Sequence, residues 1–152
     1  MVISARFCRG NRVAGFHEAV AKIPALLRAQ VSDRPEVITR VVGVSLDNNA
    51  EVGTDYLFRL AEFDEVVAGG SWLNTATEKL LWGSYPLKAS IPQVVLLQRT
   101  VTWAGGSAAT LEEERVLETY DGADKIVAWV AQGAPVGELA AAPVAGRNAL
   151  VP

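Results

Sequence analysis

The sequence predicts an α+β fold built from two β-α-β-β repeats with pseudo-twofold symmetry. Two observations lead to this prediction. Apolar and polar residues alternate in several short runs, which is the pattern of half-buried strands. The stretch "KIPALLRAQ" at 22–30 is similar to "SIPQVVLLQ" at 90–98, since both begin a run with Ile-Pro and close it with Gln. Each stretch is preceded by one predicted strand and followed by two, so we expect joined sheets with both helices on one side.

The first repeat is predicted to span about residues 2–63. "VISARFC" alternates as a strand, and the spacing of apolar residues predicts an amphipathic helix over Phe16–Val31. Pro24 is expected to kink this helix or to begin a new first turn. "VITRVVGVSLD" over Val37–Asp47 is rich in β-branched residues and predicts a strand. "NNAEVG" then predicts a turn, and the alternation in "TDYLFRLAEF" predicts a strand over Thr54–Phe63.

The second repeat is predicted to span about residues 75–131, after the linker "EVVAGGSWLN". "TATEKLLWGS" predicts a strand over Thr75–Trp82. The composition of Ser90–Gly106 favours a strand, whereas its Ser-Ile-Pro start and its Gly-Gly end favour a helix. The internal similarity favours the helix. "LEEERVLETY" and "KIVAWVAQ" predict two strands joined by a turn at Asp121–Asp124.

Composition limits the class of protein. Of the 152 residues half are hydrophobic and a fifth are charged, which suits one domain, predicted over residues 1–132 with an Ala/Pro/Gly-rich tail over 133–152. The net charge of -3 argues against direct nucleic-acid binding. A single cysteine, Cys8, excludes an intrachain disulfide and favours a reducing, cytoplasmic location. No apolar run approaches the ~18 residues of a membrane span, and we expect no membrane association.

The sequence offers little for metal, cofactor or triad chemistry. His17 is the only histidine, so a site with several His or Cys ligands is excluded, and no G-x-S-x-G motif accompanies it. We interpret His17 as a solvent-facing helix residue and Cys8 as a small buried hydrophobe. The Gly-rich stretch "VAGGSWLN" lacks the lysine of a phosphate-binding loop. No metal, cofactor or catalytic residue is therefore predicted.

Glu118 is the residue that the pattern does not explain. In "RVLETYDGADKIVAWV", alternation places it on one face with Val116 and Tyr120, and pairing across the predicted turn places it opposite Val127 and beside Trp129. A carboxylate among hydrophobes is costly unless a donor or a cation meets it. Three interpretations remain open: a counter-charge for a lipophilic cation, a carboxylate paired with a Tyr or Arg side chain, and a solvent-exposed face.

Several short motifs, taken in order, resemble the GyrI-like (gyrase-inhibitor-like) effector-binding domains, which also form the ligand-binding halves of multidrug-sensing transcription regulators. The resemblance covers about residues 2–131. It rests on Ile23-Pro24-Ala25-Leu26-Leu27, where Leu27 stands in place of a common Trp, then Gly43-Val44, Asp55-Tyr56, Leu117-Glu118-Thr119-Tyr120 and Ile126-Val127-Ala128-Trp129.

The resemblance implies a cleft between the two helices, over the sheet, in which an acid on the Glu-x-Tyr strand meets flat, lipophilic cations. That acid is Glu118 here. The expected walls of the cleft are Leu27, Tyr56, Phe58, Trp82, Trp103, Tyr120 and Trp129. Because the residues before the domain are too few for a helix-turn-helix, we expect a stand-alone small-molecule-binding protein.

Two other functions remain as alternatives. The first is a hydrolase of reactive electrophilic toxins, with Glu118 as general acid or base, although a non-enzymatic role is favoured. The second is a protein-interaction module, such as a gyrase-type inhibitor, a partner of a separate regulator or a homodimer.

Overall fold

The chain forms a mixed α+β structure around one five-stranded sheet. The computed structural model describes residues 2–5, 13–79, 91–104 and 108–139. The strands and helices are β1 (Val2–Ala5), α1 (Phe16–Gln30), β2 (Val42–Ser45), α2 (Ala50–Leu60), β3 (Glu65–Val67), α3 (Thr75–Thr77), β4 (Gln93–Ala104), β5 (Ala108–Asp121) and α4 (Ala123–Ala131), with a 3₁₀ turn at Ser71–Leu73.

The sheet combines a parallel half with an antiparallel half. Its strand order is β3-β2-β1-β4-β5. Strands β1, β2 and β3 are parallel, and α1 and α2 connect them as two successive crossovers. β4 runs antiparallel to β1, and β5 runs antiparallel to β4. The α+β class is therefore confirmed.

Helix α1 confirms the prediction over Phe16–Val31 to within one residue. Its buried face repeats at helical spacing and comprises Phe16, Ala19, Val20, Ile23, Pro24 and Leu27. The helix continues through Pro24 to Gln30. Glu18 in the first turn and Arg28 in the last suit the helix dipole.

The predicted strand over Thr54–Phe63 is wrong, because these residues form most of helix α2 and the segment after it. Asn49 caps the helix, since its side-chain oxygen accepts a hydrogen bond from the Val52 N–H at 3.1 Å. The buried residues are Gly53, Tyr56, Leu57 and Leu60, which share one helical face. The predicted turn "NNAEVG" is thus the start of a helix.

The predicted helix over Ser90–Gly106 is also wrong, because β4 occupies Gln93–Ala104. The β-branched composition decides here, since Val94 and Val95 are buried between β1 and β5 and pair with both. The two Ile-Pro stretches therefore lie in a helix and before a strand, respectively. The two-repeat symmetry that rested on their similarity is not confirmed.

The predicted last strand, "KIVAWVAQ", is helix α4. Gly122, at φ 89°, turns the chain from β5 into the helix, and Ala123, Ile126 and Trp129 bury one face of it. The hairpin about Asp121–Asp124 is accordingly wrong, and Glu118 does not face Val127 across a ladder.

The remaining strand predictions have mixed outcomes. "LEEERVLETY" is confirmed within β5, and β2 occupies only Val42–Ser45 of the predicted Val37–Asp47. The predicted linker contains β3 and the 3₁₀ turn. The first predicted strand is confirmed over Val2–Ala5. The start of the Thr75–Trp82 segment is the short helix α3, and its later part lies outside the described residues.

The core lies between the sheet and helices α1, α2 and α4. The first residues of the predicted tail pack onto it. Ala134 is fully buried, Gln30 Nε2 donates to the Gly133 carbonyl at 3.1 Å, and Arg115 Nη2 donates to the Glu138 carbonyl at 3.1 Å. No helix in the described part of the chain has the length and apolar composition needed to cross a membrane.

Candidate functional site

Glu118 is exposed, and a β-bulge lies next to it on β5. Leu96 pairs with Glu118, and the next residue, Leu97, pairs with Val116, so Leu117 is an extra residue. Two residues of β5 therefore oppose Leu96. Leu117 packs against the core, and Glu118 is left in solvent. The carboxylate does not occupy a core position.

Glu118, Tyr120 and Trp129 are nevertheless neighbours, through a helix and not through a hairpin. The rings of Tyr120 and Trp129 stack with centroids 4.7 Å apart. Trp129 is only 2% exposed, and its Nε1–H donates to the Pro135 carbonyl at 3.0 Å. Burial raises the pKa of the Tyr120 hydroxyl, and the nearby charge of Glu118 raises it further.

The other predicted wall residues do not join this group. Leu27 and Tyr56 are buried in the core, whereas Phe58 is 64% exposed on α2. Helix α2 packs on β2 and β3, in the half of the sheet away from β5. Trp82 and the side chain of Trp103 lie outside the described part of the structure.

A different set of polar side chains meets at the carboxyl ends of the parallel strands. We call it the carboxyl-edge cluster; it comprises His17, Ser45, Asp47, Tyr56 and Asn74. Ser45 ends β2, and Asp47 lies between that strand and α2. His17 lies in the first turn of α1 and Asn74 follows β3. Open α/β sheets bind their ligands outside this edge.

Ser45 and Asp47 form the inner part of the carboxyl-edge cluster. The fully buried Ser45 hydroxyl donates to Asp47 Oδ2 at 2.6 Å, and the Asp47 N–H donates back to Ser45 Oγ at 3.1 Å. A Cβ at Gly53 would lie 2.7 Å from Ser45 Oγ. Glycine at this position therefore lets α2 lie closely against the end of β2.

Asn74 fixes the segment after β3 against the end of β2. Its Nδ2 donates to the Ser45 carbonyl at 3.1 Å and to the Ser71 carbonyl at 2.9 Å. Its Oδ1 accepts from the Thr77 N–H at 2.9 Å and from Thr77 Oγ1 at 2.8 Å. These four bonds account for the amide's usual capacity, so Asn74 holds the segment after β3 in place beside the cluster.

Tyr56 and His17 complete the cluster. Their rings meet edge to face, with centroids 6.3 Å apart. Burial raises the pKa of the Tyr56 hydroxyl, and the charge of Asp47 raises it further, so the hydroxyl stays protonated at neutral pH. His17 is exposed. An open depression of about 280 Å³ lies beside it, over residues 13–18.

Sequence reasoning did not find this cluster. His17 is exposed, as predicted, but its contact with Tyr56 depends on α2 being a helix. The sequence feature that could have indicated the cluster is "VSLDNN", in which an apolar strand ends in Ser and Asp just before an Asn cap. That order is typical of a strand-to-helix junction in a parallel sheet.

Neither metal coordination nor the resemblance adds to the site. Among the residues that the structure describes, no group of three or more His, Cys, Asp or Glu side chains could hold a metal ion. Asp55-Tyr56 and Ile126-Val127-Ala128-Trp129 lie on helices, where the resemblance to GyrI-like domains implied strands. Comparison with known proteins finds no matching family model, no matching curated protein and no matching solved structure.

Proposed function

We propose that this protein binds a small molecule at the carboxyl edge of its parallel strands, over His17, Asp47 and Tyr56. One observation supports the proposal above all. The charge of Asp47 acts on the Tyr56 phenol, the Tyr56 ring contacts the imidazole of His17, and an open depression over residues 13–18 lies beside that imidazole. Pockets with a few convergent polar groups and a perturbed pKa are the usual places for small ligands.

The charge of the cluster favours a ligand with a cationic or hydrogen-bond-donating group. Asp47 is half-buried, and its charge acts on Tyr56. The exposed imidazole of His17 offers a flat surface against which a planar ligand can pack. The ligand class is therefore a small, flat molecule whose positive end approaches Asp47.

A second candidate binds a lipophilic cation at Glu118. The observation that favours it is the exposed carboxylate of Glu118 beside the half-buried Tyr120 ring, which itself stacks on Trp129. A cation there would meet both a negative charge and an aromatic ring. This site lies at the opposite edge of the sheet from α2, so the two candidates are separable by mutation.

Thermal shift measurements with quaternary amines, cationic dyes and neutral aromatic compounds test both candidates. A compound at a hundred times its Kd adds about 2.7 kcal/mol to the free energy of unfolding, which raises Tm by several degrees. We expect Asp47→Asn to abolish the shift and Glu118→Gln to retain it. Asn at position 47 keeps an acceptor for Ser45, so the unliganded Tm checks that the fold is intact.

The reverse pattern, with the shift lost only in Glu118→Gln, would support the second candidate and exclude the first. If no compound of the panel shifts Tm, both candidates fail. Mass spectrometry of the same samples after incubation with a strained electrophile tests the hydrolase alternative, because hydrolysis adds one water to the compound.

A further inference from the structure

Strands β4 and β5 continue beyond the rest of the sheet as a two-stranded arm. β4 pairs with β1 only over Gln93–Val95, whereas its pairing with β5 extends to Ala104 and Ala108. We call residues 96–104 with 108–118 the β-arm. Along the β-arm, no strand of the described chain pairs with the outer edge of either β4 or β5. Unpaired edges of this kind are templates for another strand.

The two edges of the β-arm differ in their protection. β5 has a second register shift, where Thr100 pairs with Glu113 and Val101 pairs with Leu111, so Glu112 is an extra residue like Leu117. It also has three consecutive acids, Glu112 to Glu114. Bulges and charges are the usual means by which an edge strand avoids pairing. Within the β-arm, β4 has no inserted residue and only one charge, Arg99.

The β-arm also exposes a pair of large apolar side chains. Val101 is 42% exposed and Leu111 is 50% exposed, and they are direct cross-strand partners. Cross-strand partners share one face of a sheet. The exposed pair therefore forms a short apolar stripe that reaches the free edge of β4 at Val101.

We infer that β4 pairs edge to edge with β4 of a second copy of this chain, antiparallel, across a twofold axis at Val101. Antiparallel partners must share a face, so only registers that join residues of like orientation are allowed. The register centred on Val101 joins it to Val101 of the second copy. It extends the apolar stripe to Leu111, Val101, Val101 and Leu111 across four strands.

The same register suits the neighbouring residues. Thr100 of each copy faces Thr102 of the other, a pair that is favourable across strands. Within each copy, Glu112 accepts a hydrogen bond from Thr102, and Glu114 forms ion pairs with Arg99 and Lys79. Pairing through β5 would instead join two strands whose ladders are each interrupted by the extra residues Glu112 and Leu117. A twofold interface needs one self-complementary surface, and the β4 edge has this property.

Disulfide trapping tests the register directly. In a Cys8→Ser background, which removes the only native cysteine, Val101→Cys should form an intermolecular disulfide on mild oxidation. Opposed residues of antiparallel strands have Cα atoms about 4.5–5.5 Å apart, within disulfide range. Leu111→Cys is the matched control, because three strand spacings of about 4.8 Å separate the two copies of that residue. It should remain uncrosslinked.

Equal crosslinking at positions 101 and 111, crosslinking at 111 alone, or none at either position would overturn the inference. Sedimentation of the native protein supplies a second readout. We expect twice the monomer mass at high concentration, and the monomer mass for Val101→Lys, in which two positive charges would meet on the axis. Ile38→Lys, at a residue that is exposed outside the β-arm, should leave the dimer unchanged. A native protein that stays monomeric at every concentration contradicts the inference, whether or not the lysine variant folds.

Discussion

Asp64 joins the end of helix α1 to the segment before strand β2. Its Oδ1 accepts from Arg28 Nη2 at 2.9 Å, and its Oδ2 accepts from the Val41 N–H at 2.7 Å. Burial by itself would raise the pKa of this carboxyl. The hydrogen bonds from Val41 and Arg28, together with the charges of Arg28 and Arg40, outweigh burial, so the pKa of Asp64 lies below its ordinary value.

Asp64→Asn should therefore lower the free energy of unfolding at neutral pH. We expect a loss of about 1 kcal/mol, because the carboxylate accepts two hydrogen bonds, one of them from the half-exposed Arg28, whose charge is screened by water. Urea unfolding at pH 7 measures the loss. Asp33→Asn is the matched control, since it removes an exposed carboxylate elsewhere on the surface, and a loss of equal size there would contradict the role of Asp64.

The difference between the native protein and Asp64→Asn should depend on pH with a definite sign. A folded-state pKa below the unfolded value of about 3.9 stabilises the protein above that value, and the stabilisation is lost as pH falls through the folded pKa. The two unfolding curves should therefore converge in acid. A difference that stays constant from pH 7 to strongly acidic pH would show that the charge of Asp64 is not responsible.

Helix α2 shows at the scale of an element how alternation can mislead. In "TDYLFRL", Tyr56, Phe58 and Leu60 alternate as in a strand, but Tyr56 and Leu60 also fit one helical face. The exposure of Leu57 and Phe58 distinguishes the predicted strand from the observed helix. Leu57 is fully buried and Phe58 is exposed, as a helix requires.

Leu57→Ala should lower the free energy of unfolding by about 2–5 kcal/mol, whereas Phe58→Ala should change it by less than about 0.5 kcal/mol. A strand at these positions would bury Phe58 on the same face as Tyr56 and Leu60. Chemical denaturation of the two variants side by side measures this contrast. A greater loss for Phe58→Ala than for Leu57→Ala would contradict the helical assignment.

At the scale of the whole molecule, one core joins two tyrosines with raised pKa values. Tyr56 lies on the buried face of α2, and Tyr120 packs against α4. Both pKa values are raised first by burial, and then by Asp47 and Glu118, respectively. Since the folded pKa exceeds the unfolded value of about 10, the stabilisation is present below pH 10 and is lost as pH rises through the folded values.

The free energy of unfolding should therefore fall above about pH 10, and the fall should be shallower in Tyr56→Phe/Tyr120→Phe. Phenylalanine keeps both rings, including the stack on Trp129, and removes only the hydroxyls. Urea unfolding at several alkaline pH values, followed by tryptophan fluorescence, provides the measurement. Identical pH dependence in the native and double-variant proteins would show that neither hydroxyl is linked to folding.

Local sequence patterns were sufficient to predict helix α1 and strand β5. Helix α1 has a buried stripe that fits only a helical period, and β5 has a long run with strand character whose bounds extend only slightly past the prediction. The α+β class and the strand character of "VVGVS" follow from the same local signals. These elements were predicted correctly because the spacing of their apolar residues fits one type of secondary structure.

The other elements depend on their neighbours. The apolar run of β4 fits a helix or a buried strand, and the ladders with β1 and β5 select the strand. The segment around Trp129 forms helix α4, which packs over Tyr120 and β5 and does not extend the sheet. Glu118 is exposed although its cross-strand partner Leu96 is buried, and the meeting of His17, Asp47 and Tyr56 follows from two crossovers. Such contacts join residues that are distant in the chain, so tertiary packing sets them and local periodicity cannot.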